Sequence, residues 1–286
     1  MKKIKILFIS IILLSLTGCL KNDSMDDINI VTSAYPIEFV VNELYGNHST
    51  ITSIYPKDDS IINFEITDVL LEQYSSNDLF IFNGLSNEKE HVKKIAKYNK
   101  DLMIINVTGE DKGENIASIE ELWLDPNNLL TLANNIRKGF KEYIKSTYLT
   151  NEIDENYENL KVTLTSLDGN YYSTLKNANY NNIIVSDDAF KFLEKYGVNV
   201  ISLDKDTAKD KDINDAKELL SKGECSYVFI KYKENNDAIN NFIEETGTTT
   251  LELFDMTNLH DININQNNYV SLMEQNLETI ELELNK

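Results

Sequence analysis

Residues 151–171 read NEIDENYENLKVTLTSLDGNY, and the apolar positions Ile153, Tyr157, Leu160, Leu164, Leu167 and Tyr171 fall alternately four and three residues apart. That spacing lines one face of an α-helix. Continued to residue 178, it predicts a helix of about 40 Å at ~1.5 Å per residue, longer than most helices inside one domain. Gly169 and several threonines weaken it only locally. Four β-rich runs precede it (28–34, 50–55, 78–82 and 102–107) and four follow (182–186, 198–203, 227–231 and 249–254). Each run alternates with a segment of helical period, the pattern of parallel α/β layers. The expected fold is therefore α/β, with two (β/α) lobes, each built on a four-stranded, mainly parallel sheet and joined by a long rigid connecting helix. A single fused domain carrying a long surface helix is the alternative. The expected organisation is an N-terminal lobe over 20–150, the connecting helix over 151–178 and a C-terminal lobe over 179–286. Just ahead of the connecting helix, Asp125-Pro126 forms a helix start, with an acid to cap and a proline at the first position.

The first nineteen residues are of another kind. Lys2, Lys3 and Lys5 precede an apolar run from Ile6 to Leu16, followed by Leu16-Thr17-Gly18-Cys19. The run is about eleven residues, roughly half the length of a membrane-spanning helix, and reads as a signal peptide. Its Leu-x-Gly-Cys end resembles the bacterial lipobox, which implies cleavage before Cys19 and a lipid anchor on its thiol. An unlipidated leader with a chance cysteine is the alternative.

The chain has 27 basic and 47 acidic residues, and residues 1–19 hold three of the lysines and none of the acids. Such a surface repels nucleic acid and anionic headgroups and favours cations at long range. With Cys19 lipidated, Cys225 remains alone and is expected as a small buried hydrophobe. The richness in Asn, Ile and Lys reflects base composition, as in a low-GC Gram-positive bacterium.

In parallel sheets, ligands sit outside the carboxyl ends of the strands. That rule selects the loops after Tyr55, Val107, Ser186 and Phe254. Each is acidic or closely followed by acids.

Six pieces, in order, resemble the zinc/manganese-type solute-binding lipoproteins of ABC transporters, the TroA-like, adhesin-type family. They are Val31-Thr-Ser-Ala-Tyr-Pro36, Asp78-Leu-Phe-Ile-Phe-Asn-Gly84, Trp123-Leu-Asp-Pro126, Val185-Ser-Asp-Asp-Ala-Phe190, Tyr196-Gly197, and Asn268-Tyr269 through Asn276-Leu277. The resemblance implies a divalent cation (zinc or manganese) held between two lobes and delivered to a membrane permease by a monomeric, lipid-anchored receptor outside the cytoplasmic membrane. It also implies a ligand set of histidines and acids. Carried over residue by residue, the first ligand position is Ile62, the second Glu121, the third Asp187 and the fourth Asp255, so the expected histidines are replaced.

Glu121, Asp187 and Asp255 would make an all-oxygen site, which suits manganese, magnesium or calcium better than zinc. Glu65, Asp58 or Asp59 in the Ile62 loop can supply a substitute oxygen. Converging carboxylates without a cation repel one another, so an empty site needs a lysine, a shared proton or open solvent. His48 in a turn, His91 on a helix expected to be exposed, and His260 five residues past Asp255 are expected in solvated or local roles. No catalytic triad, His-Glu-x-x-His or phosphate loop is present, so no enzymatic activity is expected. The leading expectation is an importer receptor for a divalent cation. The alternative is a metal-independent surface lipoprotein with an adhesion or interaction role, or one with a different solute.

Overall fold

The computed structural model describes residues 25–54, 66–84, 88–108, 118–259, 262–264 and 266–286. The leader, Cys19, the loop containing Asp58, Asp59, Ile62 and Glu65, and His260 lie outside them.

Two four-stranded sheets are present, and every pairing in them is parallel. The first contains β1 (Ile28–Thr32), β2 (Ser49–Ser53), β3 (Leu79–Phe82) and β4 (Met103–Asn106) in the order β2-β1-β3-β4. The second contains β5 (Asn182–Val185), β6 (Asn199–Ser202), β7 (Tyr227–Lys231) and β8 (Thr249–Leu253) in the equivalent order β6-β5-β7-β8. All eight strands fall within two residues of the runs read from the sequence, because short β-rich runs set between helical segments are a local signal. In both sheets the order reverses between the first and third strands, and that reversal opens a crevice at their carboxyl ends.

Helices α1 (Tyr35–Tyr45), α2 (Asp68–Ser75) and α3 (Glu88–Tyr98) belong to the first sheet, and α7 (Asp210–Ser221) and α8 (Asp237–Thr246) to the second. Between the sheets run a short turn, α4 (Glu121–Leu124), then α5 (Pro126–Tyr143) and the long α6 (Thr147–Lys176). The chain closes with α9 (Tyr269–Leu284). The Asp125 side chain accepts from the Asn127 N–H at 2.8 Å, and Pro126 occupies the first turn, as the Asp-Pro pair predicts. Gly139 of α5 lies so close to β4 that a Cβ there would stand 2.8 Å from Ile105, so the helix seats directly on the strand.

Helix α6 spans 30 residues, starting four before the expected point. Its buried positions are Leu149, Ile153, Tyr157, Leu160, Leu164, Leu167, Tyr171 and Leu175, and they join the large core shared by α1, α5, α9 and both halves. A smaller core of Ile184, Leu203, Ala216, Cys225, Val228, Ile239 and Phe242 fills the outer side of the second sheet. Cys225 is buried as expected, and burial pushes its thiol up to about 12, so it is unreactive.

Two polar clusters secure α6. Lys195 bridges Asp125, which heads α5, and Asp168 of α6, the latter at 2.8 Å, while the Tyr196 hydroxyl donates to Asp168 at 2.7 Å. At the other end, the His48 ring faces Asp26 through Nδ1 at 2.8 Å and Glu152 of α6 through Nε2 at 3.1 Å. Burial disfavours the imidazolium, but Asp26 and Glu152 outweigh it and raise its pKa above the usual 6.5. A raised folded pKa gives a contribution that is complete below the unfolded value and is lost as pH rises through the folded one. Melting temperature is therefore expected to fall as pH is raised upward from 6.5, with a flatter slope in His48→Gln; identical slopes would refute the bridge.

His91 departs from expectation. It is buried together with Val92 and Ile95 on the inner face of α3, and burial lowers its pKa. The spacing of His91 and Ile95 on one helical face accounts for this, whereas the neighbouring Lys and Glu residues had implied exposure.

Candidate functional site

The crevice of the second sheet carries the site. Strand β5 is followed by Ser186 and Asp187, and its neighbour β7 ends in Lys231. Asp187 has an extended backbone and caps the following 3₁₀ segment (Asp188–Tyr196) by accepting from the Ala189 N–H at 2.8 Å. Its second oxygen lies 2.8 Å from Lys231 Nζ. The turn after β7 is fixed by Glu234, whose carboxylate accepts from the Lys231 N–H at 3.0 Å and from the Ser186 hydroxyl. Lys231 is thus held at both its backbone and its ammonium.

Beyond β8, Asn276 of α9 clamps Phe254 by accepting from its N–H at 2.7 Å and donating to its carbonyl at 2.8 Å. Asp255 follows, 3% exposed, with Thr257 donating from N–H at 3.0 Å and from Oγ1 at 2.6 Å to its two oxygens. Its Oδ2 stands 3.7 Å from Lys231 Nζ. From the first half, Trp123 donates from Nε1 to the Asp255 carbonyl at 2.9 Å, and Glu120, at the head of α4, reaches Lys231 Nζ at 3.3 Å. Trp123 is fully buried and makes this link from the core.

Among the described residues, the carboxylates paired with Lys231 are therefore those of Glu120, Asp187 and Asp255. Glu121, the residue counted back from the tryptophan, begins α4, and its carbonyl accepts from Asn128 at 3.1 Å. Sequence reasoning missed Lys231 and Glu120. Lys231 reads as the last residue of a strand, and only the strand-end rule applied to β7 would have selected it.

Burial disfavours the Lys231 ammonium, yet Glu120, Asp255 and Asp187 more than compensate and hold its pKa above the usual lysine value. Burial pushes the Asp187 carboxyl upward, with the Lys231 ammonium opposing. In front of the cluster opens a cleft of ≈ 950 Å³, whose lining includes six carboxylate side chains and two lysines. It is a cation-attracting surface even after Lys231 is counted.

The donors do not fit zinc. They are oxygens without imidazole or thiolate, the ligand types that tetrahedral zinc sites favour. Among the described residues, no three His, Cys, Asp or Glu side chains are spaced to hold a metal ion.

Two α/β lobes with a shared crevice and a long connecting helix define a cleft-type solute-binding protein. A family model described as the zinc-uptake complex component A, periplasmic, matches residues 30–282, and the chain belongs to this family of solute-binding proteins, which are not enzymes. The fold is that of the Zn(II)-bound ZnuA-like domain of Streptococcus pneumoniae AdcA, at TM-score 0.74 and 20% identity over 91% of this chain and 100% of that one. It is equally similar to the periplasmic zinc-binding protein TroA from Treponema pallidum, at TM-score 0.74 and 16% identity over 91% and 100% of the two chains. The laminin-binding protein Lbp of Streptococcus pyogenes superposes with TM-score 0.73 and 16% identity over 90% and 99%. No curated protein sequence matches this chain. Among the described residues, no helix is long and apolar enough to cross a membrane.

Proposed function

We propose that this chain is the extracytoplasmic solute-binding component of a metal-type ABC importer, anchored through lipid on Cys19. In this reading Glu120, Asp187 and Asp255, which are not spaced to hold an ion while Lys231 stands among them, draw together around a cation, and the chain passes it, as a monomer, to a membrane permease. The supporting observation is the convergence of carboxylates from both halves on one point at the strand ends, beside a cleft with surplus negative charge. Oxygen donors favour a hard cation such as manganese, calcium or magnesium over zinc. Glu121, adjacent to Glu120 in the chain, is a further oxygen donor.

The test uses the full chain in detergent, stripped with chelator and melted with each of manganese, zinc, calcium and magnesium. A cargo cation at about 100 times its Kd stabilises by about 2.7 kcal/mol, a shift of several degrees. No shift with any of the four would overturn cation capture. Membrane association of the wild type, lost in Cys19→Ser, would establish the anchor.

Lys231 favours a second reading, a metal-independent surface lipoprotein with an interaction role or another solute, because its ammonium already occupies the point where the carboxylates converge. Binding of a macromolecule that is unchanged by chelator would select it.

A further inference from the structure

We infer that Lys231 is the specificity-determining residue of the cleft: its ammonium is a tethered cation standing where Glu120, Asp187 and Asp255 converge, and a divalent ion binds there only by displacing it. The inference deepens the proposed function and rests on its assignment of this cleft as the cargo site.

Three observations carry it. The ammonium is placed by construction, since its backbone is fixed by pairing with Leu253 of β8 and by the Glu234 carboxylate. The lysine side chain is only 20% exposed, so its charge is directed inward, whereas lysines ordinarily snorkel to water. Its three partners come from separate segments: the head of α4, the end of β5 and the end of β8. A small ion could not enter among those oxygens while Nζ stands 2.8 Å from Asp187 and 3.3 Å from Glu120. Removing the ammonium leaves converging carboxylates that repel one another, and a cation from solution is then the remedy.

The experiment compares the wild type, Lys231→Met and Lys231→Arg as full chains in detergent, titrated with manganese and calcium and read by calorimetry and melting. Methionine keeps the length of the stem without its charge, and arginine keeps the charge. Lys231→Met is expected to melt lower than wild type in chelator and to bind at least one of the two ions about tenfold or more tighter than wild type, with Lys231→Arg remaining as weak as wild type. Equal or weaker binding by Lys231→Met would overturn the inference. If Lys231→Met does not fold in chelator, recovery by manganese or calcium supports the inference, and failure to recover with either overturns it. The outcomes separate from those of the proposed function. A wild type that binds no cation beside a Lys231→Met that does removes cation capture and leaves the lysine's role standing; a wild type and a methionine variant that bind equally do the reverse.

Discussion

Replacing Glu283 by alanine is expected to destabilise the protein by about 3–5 kcal/mol, the range for stranding the partners of a buried charge. Glu283 lies on the last turn of α9 with no solvent exposure. Its carboxylate accepts from the N–H groups of Ser226, at 3.1 and 3.0 Å, and Tyr227, at 3.0 Å, and pairs with Lys286. These N–H groups open β7, so the carboxylate caps the entry to the strand that carries Lys231 at its far end. Alanine would remove the acceptor shared by both donors and the counter-charge of Lys286. Glu283→Gln keeps the shape and one acceptor, and is expected to cost about 1–3 kcal/mol. Urea unfolding followed by circular dichroism measures both. An alanine variant within about 1 kcal/mol of wild type would show that water replaces the carboxylate without loss.

Trp123→Ala is expected to cost about 3–5 kcal/mol, because it empties a fully buried site that the backbone can only partly close. Trp123 is one of the largest fully buried side chains, and it also ties the two halves together. Its indole N–H donates to the Asp255 carbonyl, and its own carbonyl accepts from the Tyr269 hydroxyl. Trp123→Phe retains most of the volume and removes the indole donor, for which about 1–3 kcal/mol is expected. The variants also report on the site, since Asp255 is positioned through the bond that phenylalanine lacks. Because the chain has one tryptophan, circular dichroism serves for both unfolding curves. An alanine variant that unfolds at the wild-type urea concentration would mean that Trp123 contributes neither packing nor linkage.

The fold was legible because its signals are local. The strands are short apolar runs, and the 4/3 spacing from Ile153 to Tyr171 needs only a helical net to be read. The start of α6 at Thr147 was less clear, since Ser146 caps it by a hydroxyl that resembles any loop serine. The site was legible only in part. Asp187 and Asp255 follow directly from strand ends, and the structure places both beside Lys231. Glu120 lies one position from the expected Glu121, a choice that depends on how the turn of α4 presents its first residues. Lys231 is legible only once β5 and β7 are known to be neighbours, and that adjacency is a property of sheet order. That converging acids without a cation need a lysine, a shared proton or open solvent was evident from electrostatics; that a lysine is there, and which one, was a matter of topology.

The fixed backbone of Lys231 has a consequence for dose. An ion drawn from solution occupies its site according to its concentration, but a side chain anchored by strand pairing and by Glu234 presents its charge at a constant effective concentration, of millimolar order even for short flexible tethers. Dilution, chelators and changes in growth medium leave that concentration unchanged. The charge balance of the cleft is therefore inherited with the chain, and a free ion gains entry only where its abundance multiplied by its affinity exceeds that of a competitor that never diffuses away.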